Sequence, residues 1–272
     1  MVRASDRAER PARASVWLEG KAARGAAARG AVERGPAERG PAERGGGQPA
    51  GLDRERITEV TVRLLDAEGM AKFSMRRLAA ELNVTAMSVY WYVDTKDDLL
   101  ELALDAVYGE LELPDPESGE DWRDQLRSLA EGYRALLVRH PWVSPLMGTF
   151  LNIGPHSMAF SFRVQKVVRR TGLPPHGQTG AVSAVFQFVY GFGTIEGHFV
   201  QRSASAGVSQ EEYYRQAMGA IGEQPQFAAH FESFADLLEA RGGDTVEEMR
   251  ERDFRFALET LIAGIEAMVE RG

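Results

Sequence analysis

From Leu52 onward apolar residues recur at helical intervals, and no alternating strand pattern with turn dipeptides interrupts them. Ile57, Val60, Thr61, Leu64 and Leu65 define one face of a first helix that stops near Gly69. Ser74 stands where a second helix needs an N-cap, with Leu78 and Leu82 directed inward. Asn83 falls in the following turn and tolerates left-handed backbone. Thr85 caps a short third helix ending at about Trp91. Thr95 with Asp98 makes a capping-box-like start for a fourth, which carries Leu99, Leu102, Ala103 and Val107. Leu113-Pro114-Asp115-Pro116 ends that helix and marks a domain boundary. Further helical stretches follow at about 121–139, 142–150, 156–171, 177–200, 210–221 and 246–270, punctuated by prolines. The expected fold class is all-α.

Two of these stretches have the pattern of a subunit interface. Over 177–200, Gly180, Ala184, Gln187, Gly191, Thr194 and His198 form a small-residue stripe suited to close helix approach. Beside it run Ala181, Val185, Phe188, Phe192, Ile195 and Phe199. The last helix repeats the spacing with Phe254, Leu258, Leu261, Ile265 and Met268. Two such helices per chain make a four-helix interface under two-fold symmetry, so a homodimer through 177–200 and 246–270 is expected.

Charge refines the division. The chain of 272 residues carries a net −8, but residues 1–50 are net +4, 53–96 neutral, and the remainder net −12. An acidic total is no obstacle to a nucleic-acid partner, which responds to the face it meets. Residues 1–51 form a basic extension in which five successive pentapeptides from Lys21 to Gly45 end in Arg-Gly. So little apolar surface cannot offset chain entropy, and disorder is expected there. The exception is Ser15-Val16-Trp17-Leu18, a small apolar cluster able to dock on something. The repeat reads equally as an arm that follows DNA or as low-complexity sequence. Its Glu33, Glu38 and Glu43 weaken the arm reading. Residues 52–112 and 113–272 are the two expected folded domains.

Several chemistries are excluded. There are no cysteines, so thiol catalysis, disulfides and thiolate metal sites are out. The five histidines lack ligand spacing, and no cofactor or metal is expected. Gly191-Phe-Gly193-Thr-Ile-Glu-Gly197 follows no strand and has the wrong glycine spacing for a dinucleotide loop. No nucleophile–base pair supports an enzyme. Neither a secretion signal nor a membrane helix is evident, and a cytoplasmic protein is expected.

The positive signal lies in Ser74 to Lys96. Leu78, Ala79, Leu82, Val84, Val89 and Val93 supply the core of a helix-turn-helix. Arg76, Arg77, Ala86, Met87, Ser88, Tyr90, Tyr92 and Lys96 are left facing outward, where aromatic and small groups suit sugar-phosphate and base edges. Ala67-Glu68-Gly69, Ser74-Met-Arg-Arg-Leu-Ala and Ser88-Val-Tyr-Trp-Tyr-Val followed by Thr95-Lys96-Asp-Asp-Leu-Leu resemble the tetracycline-repressor (TetR) family over about Leu52 to Gly109. The resemblance implies phosphate contacts from Ser74, Arg76, Ser88, Tyr90, Tyr92 and Lys96. It also implies base contacts from Ala86, Met87 and Trp91, with Arg77 and Thr85 in the same surface. Where Ala86 stands, the family often has a polar base reader; here the implied readout is of thymine methyls plus Arg76.

The C-terminal helix order resembles, more loosely, that family's tetracycline-repressor-type domain. Within it Trp142, Met147, Phe150, Phe160, Phe162, Phe186 and Tyr190 could line a pocket for a large, flat, apolar effector. His198, with His140, His156, His176 and Glu196, could orient that molecule. Together these readings describe a homodimeric repressor on a palindromic double-stranded DNA operator, released by a small hydrophobic or aromatic ligand. The alternatives are an activator of the same fold, or a ligand sensor with weak DNA binding.

Overall fold

A computed structural model of the chain describes residues 15–19, 52–115, 117–224, 226 and 245–271. These are helical, with no strand among the described residues. The disorder expected over residues 1–51 lies outside the described residues, apart from 15–19. The order is α1 (Val16–Glu19), α2 (Arg54–Glu68), α3 (Met75–Glu81), α4 (Ala86–Tyr90), α5 (Lys96–Tyr108), α6 (Trp122–Arg139), a 3₁₀ turn (Ser144–Leu146), α7 (Pro155–Arg169), α8 (Pro175–Ser205), α9 (Gln210–Gly222) and α10 (Val246–Glu270). The helix expected over 142–150 is thus only the short 3₁₀ turn, with Pro145 inside it.

Two compact units result, one within Met1–Leu111 and Trp142–Ser161, the other within Glu112–Pro141 and Phe162–Gly272. Residues 142–161, which the sequence assigns to the C-terminal domain, pack within the first unit.

In the first unit Ile57, Val60, Thr61, Leu64 and Leu65 are the buried face of α2, as their spacing predicts. That face packs chiefly against α5. From Asp98 to Asp105 every residue of α5 is buried, three carboxylates included. Asp105 is satisfied by the start of α7: its Oδ1 accepts from Ser157 N at 2.8 Å and Ser157 Oγ at 2.9 Å. Its Oδ2 accepts from His156 N at 3.3 Å and lies 3.0 Å from His156 Nδ1. A carboxylate from a distant helix thus caps α7, meeting its unpaired amides and favourable dipole end. The approach requires Gly154, where a Cβ would stand 2.2 Å from the Asp105 carboxyl carbon.

In the second unit the largest pairing is α6 with α8. A Cβ at Gly197 would meet the Leu137 carbonyl oxygen at 2.8 Å, and one at Gly193 the Leu137 side chain at 3.1 Å. The close approach made within the chain therefore uses Gly193 and Gly197. The stripe of Gly180, Ala184, Gln187, Gly191, Thr194 and His198 is exposed or half-buried in the single chain. Arg134 of α6 is buried between Glu196 (2.7 and 3.1 Å) and Glu251 (2.6 Å), its guanidinium 4.5 Å from the Phe254 ring centroid. Burial alone would lower its pKa, but the bonds to Glu196 and Glu251 outweigh that and raise it. Glu196 is thereby committed to an ion pair with Arg134.

The α10 stripe also needs correction. Phe254, Leu258 and Ile265 are buried within this chain, and Phe254 stacks on Phe188 with centroids 5.5 Å apart. The large exposed apolar residues of α10 are Phe256 and Met268, and Ile195 of α8 is exposed as well.

Candidate nucleic-acid interface

Each helix of the reading motif starts on a side-chain cap that its own sequence supplies. Ser74 Oγ accepts from Arg77 N at 3.2 Å, and Thr85 Oγ1 accepts from Ser88 N at 3.2 Å. Between them Asn83 takes φ +54°, and Val84 N donates to Ala79 O at 2.9 Å to close the turn. Leu78, Ala79, Val89 and Val93 are buried; Leu82 and Val84 are half-buried at the edge. Thr95 Oγ1 then caps α5 by accepting from Asp98 N at 3.0 Å.

This backing fixes what α4 displays. Met87 is 70% exposed, Trp91 63% and Tyr90 38%. Ala86 and Ser88 are half-buried beside them, and Arg76 and Thr85 are exposed. An exposed apolar patch on so short and well-anchored a helix costs solvation in isolation and gains only against a partner surface.

Three expected contact residues are engaged inside the unit. Arg77 Nε donates to Glu68 at 2.9 Å and Nη1 to Glu81 at 2.9 Å, bonds that raise its pKa and lower that of Glu81. Tyr92 Oη donates to the Leu52 carbonyl at 2.6 Å. Lys96 Nζ donates to the Phe73 carbonyl at 3.1 Å and lies 5.4 Å from the Phe73 ring centroid. Lys96 and Tyr92 thus tie the motif to the residues flanking α2 and preceding α3. Sequence could have signalled one of these, the Arg77–Glu81 pair at i,i+4.

The residues expected to line an effector pocket divide between the units. In the first, Trp142 is buried with Nε1 donating to Asp66 at 2.6 Å. Met147 accepts from Tyr108 Oη through its sulfur at 3.1 Å, Phe160 lies 5.7 Å from the Tyr108 ring, and Phe150 is half-buried. In the second, Phe186 lies 6.0 Å from the Tyr133 ring and Tyr190 is half-buried, while Phe162 is exposed. His198 sits on the exposed stripe of α8. His156 belongs to the Asp105 cap.

A capped helix-turn-helix with an outward apolar and aromatic face defines the class of helix-turn-helix regulators. Comparison with known proteins narrows it. The family model for bacterial regulatory proteins of the tetR family matches residues 57–103, and that for the tetracyclin repressor-like C-terminal domain matches residues 113–269. The chain belongs to the TetR family of transcriptional regulators. A Saccharopolyspora erythraea HTH-type transcriptional regulator is 41% identical over 140 residues, 52% of this chain and 59% of that relative. The HTH-type transcriptional repressor DrrR1 of Streptomyces coeruleorubidus is 29% identical over 82% of this chain and 80% of its own length. Among solved structures, ActR of Streptomyces coelicolor in complex with actinorhodin is 28% identical with a TM-score of 0.62, covering 81% of this chain and 99% of that one. No helix among the described residues is long and apolar enough to cross a membrane.

Proposed function

We propose that this chain is a ligand-responsive transcriptional repressor that binds a palindromic operator as a homodimer. The exposed Met87, Tyr90 and Trp91 face of α4 carries the reading, because only a docking surface rewards that exposure. Each α4 enters the major groove of one half-site, with half-site centres roughly 34–36 Å apart or a small multiple of that. Ala86 and Met87 meet thymine methyls; Trp91 and Tyr90 pack on the backbone edge; Ser74, Arg76, Thr85 and Ser88 supply phosphate or base-edge hydrogen bonds. Arg77, Tyr92 and Lys96 set the pose of α4 from behind.

The exposed stripe of α8, with Ile195, and the exposed Phe256 and Met268 of α10 form the subunit interface. The effector is an apolar, aromatic molecule. Of its candidate contacts, Trp142, Met147, Phe150 and Phe160 belong to the first unit, and Phe186 and Tyr190 to the second. The relatives favour this reading: DrrR1 is a transcriptional repressor, and ActR has been solved in complex with actinorhodin. Effector and operator weaken each other by one common factor, as linkage requires.

Selection from random duplex DNA with the purified protein should return an inverted repeat. On that duplex Arg76→Ala and Tyr90→Phe should each bind about five- to tenfold more weakly, with unchanged circular dichroism. Unaltered affinity in both variants would remove the docking pose.

A further inference from the structure

α5 is covered on every side between Asp98 and Asp105, and one of those covers comes from far upstream. Ser15 Oγ donates to Glu101 Oε1, and Val16 N donates to Glu101 Oε2 at 2.8 Å. Ser15, Val16 and Glu101 are 3%, 2% and 4% exposed. Among the described residues these are the only hydrogen bonds of the Glu101 carboxylate. A carboxylate withdrawn from water needs such donors, and here both come from the first turn of α1. Val16 is buried with it, and α1 packs on α5.

We propose that the Glu101 face of α5 is a recognition socket whose occupant is the chain's own N-terminal strap, Ser15–Glu19, and that the strap holds α5 in its DNA-competent position. This control acts separately from any effector. It rests on the DNA-binding reading above. Three anchors converge on α5. Lys96 at its first residue fixes the Phe73 carbonyl just ahead of α3, and Asp105, one turn beyond Glu101, caps α7. The strap is the third, at the middle of the rod. Undocking it would return the Glu101 face to water and free the helix between its two other anchors. Thirty-two residues separate Glu19 from Leu52, a chain length able to bridge tens of ångströms and so to allow a strap in cis.

Val16→Asp in the full-length chain tests this, because it sets a carboxylate beside Glu101 without touching α5 or α4. Deuterium uptake would be followed in peptides covering 97–106, and DNA affinity by anisotropy on the duplex selected with the parent protein. The expected result is exchange at least about tenfold faster in those peptides and affinity about tenfold weaker. Ser15→Ala should move both in the same direction by less. Unchanged exchange would overturn the socket. Faster exchange with unchanged affinity would overturn the control role and leave only a docked segment. Exchange that slows with rising concentration of the parent chain would assign the strap to a second copy and overturn the cis assignment. A parent chain that selects no DNA sinks the DNA reading and the control role with it, whatever the exchange shows.

Discussion

Two neighbouring helices of the first unit invert the usual rule in opposite directions. The five-residue α4 exposes apolar side chains, whereas α5 buries charged ones. On α4 only Val89 points fully inward, and Met87, Tyr90 and Trp91 stand in solvent. On α5 the buried Asp98, Glu101 and Asp105 each meet backbone amides of another segment or of the preceding loop. The contrast separates two tasks. Buried carboxylates bound to several donors fix the geometry of the rod, and that fixed geometry lets a very short helix keep a sticky face without collapsing onto its own domain.

The largest effect should come from breaking the rod. Asp105→Ala leaves the His156 and Ser157 amides and the Ser157 hydroxyl without their acceptor, so urea unfolding followed by circular dichroism should show a loss of about 2–4 kcal/mol. A loss below about 0.5 kcal/mol would mean that α7 needs no cap from α5.

The comparison sharpens within α4 itself. Trp91→Ala should change stability by no more than about 0.5 kcal/mol yet weaken binding to the selected duplex about tenfold. Val89→Ala should instead cost about 1–3 kcal/mol of stability. Equal stability losses in the two variants would show that the exposed face is structural.

The smallest effect is a control on exposed charge. Glu259 pairs with Arg127 at 2.6 and 2.8 Å, and that hydrogen bond lowers the pKa of Glu259 from its usual 4.5. A lowered carboxylate pKa stabilises the fold above the unfolded-state value, and the contribution fades as pH falls through the folded-state value. Glu259→Gln should therefore cost about 0.2–1 kcal/mol at pH 7 and nothing once pH is well below the lowered folded-state value. A cost that persists in acid would point to packing rather than charge.

What could be read from sequence follows the range of the interactions. Ser74, Thr85 and Thr95 act on amides three residues away, so their capping roles are visible in the chain itself. The α2 face and the outward Met87 and Tyr90 follow from helical period, whereas Trp91 is reached only through the family resemblance. Contacts across long separations were not legible. Nothing local ties Glu101 to Ser15, Tyr92 to Leu52 or Trp142 to Asp66. Periodicity also finds an apolar stripe without saying what covers it. On α10 that ambiguity sent Phe254, Leu258 and Ile265 to a partner subunit, whereas α8 and Arg134 of the same chain meet Phe254. The aromatic set proposed for an effector was scattered for the same reason, since residue type carries no address.

Gly154 and Asp105 have a further consequence, for inheritance. Any side chain at 154 would occupy the volume of the Asp105 carboxyl group, so a mutation there is tolerated only alongside a shorter residue at 105, which forfeits the cap. The two sites can drift apart only by passing through a crippled intermediate, and descendants of this chain should keep or exchange them as a couple.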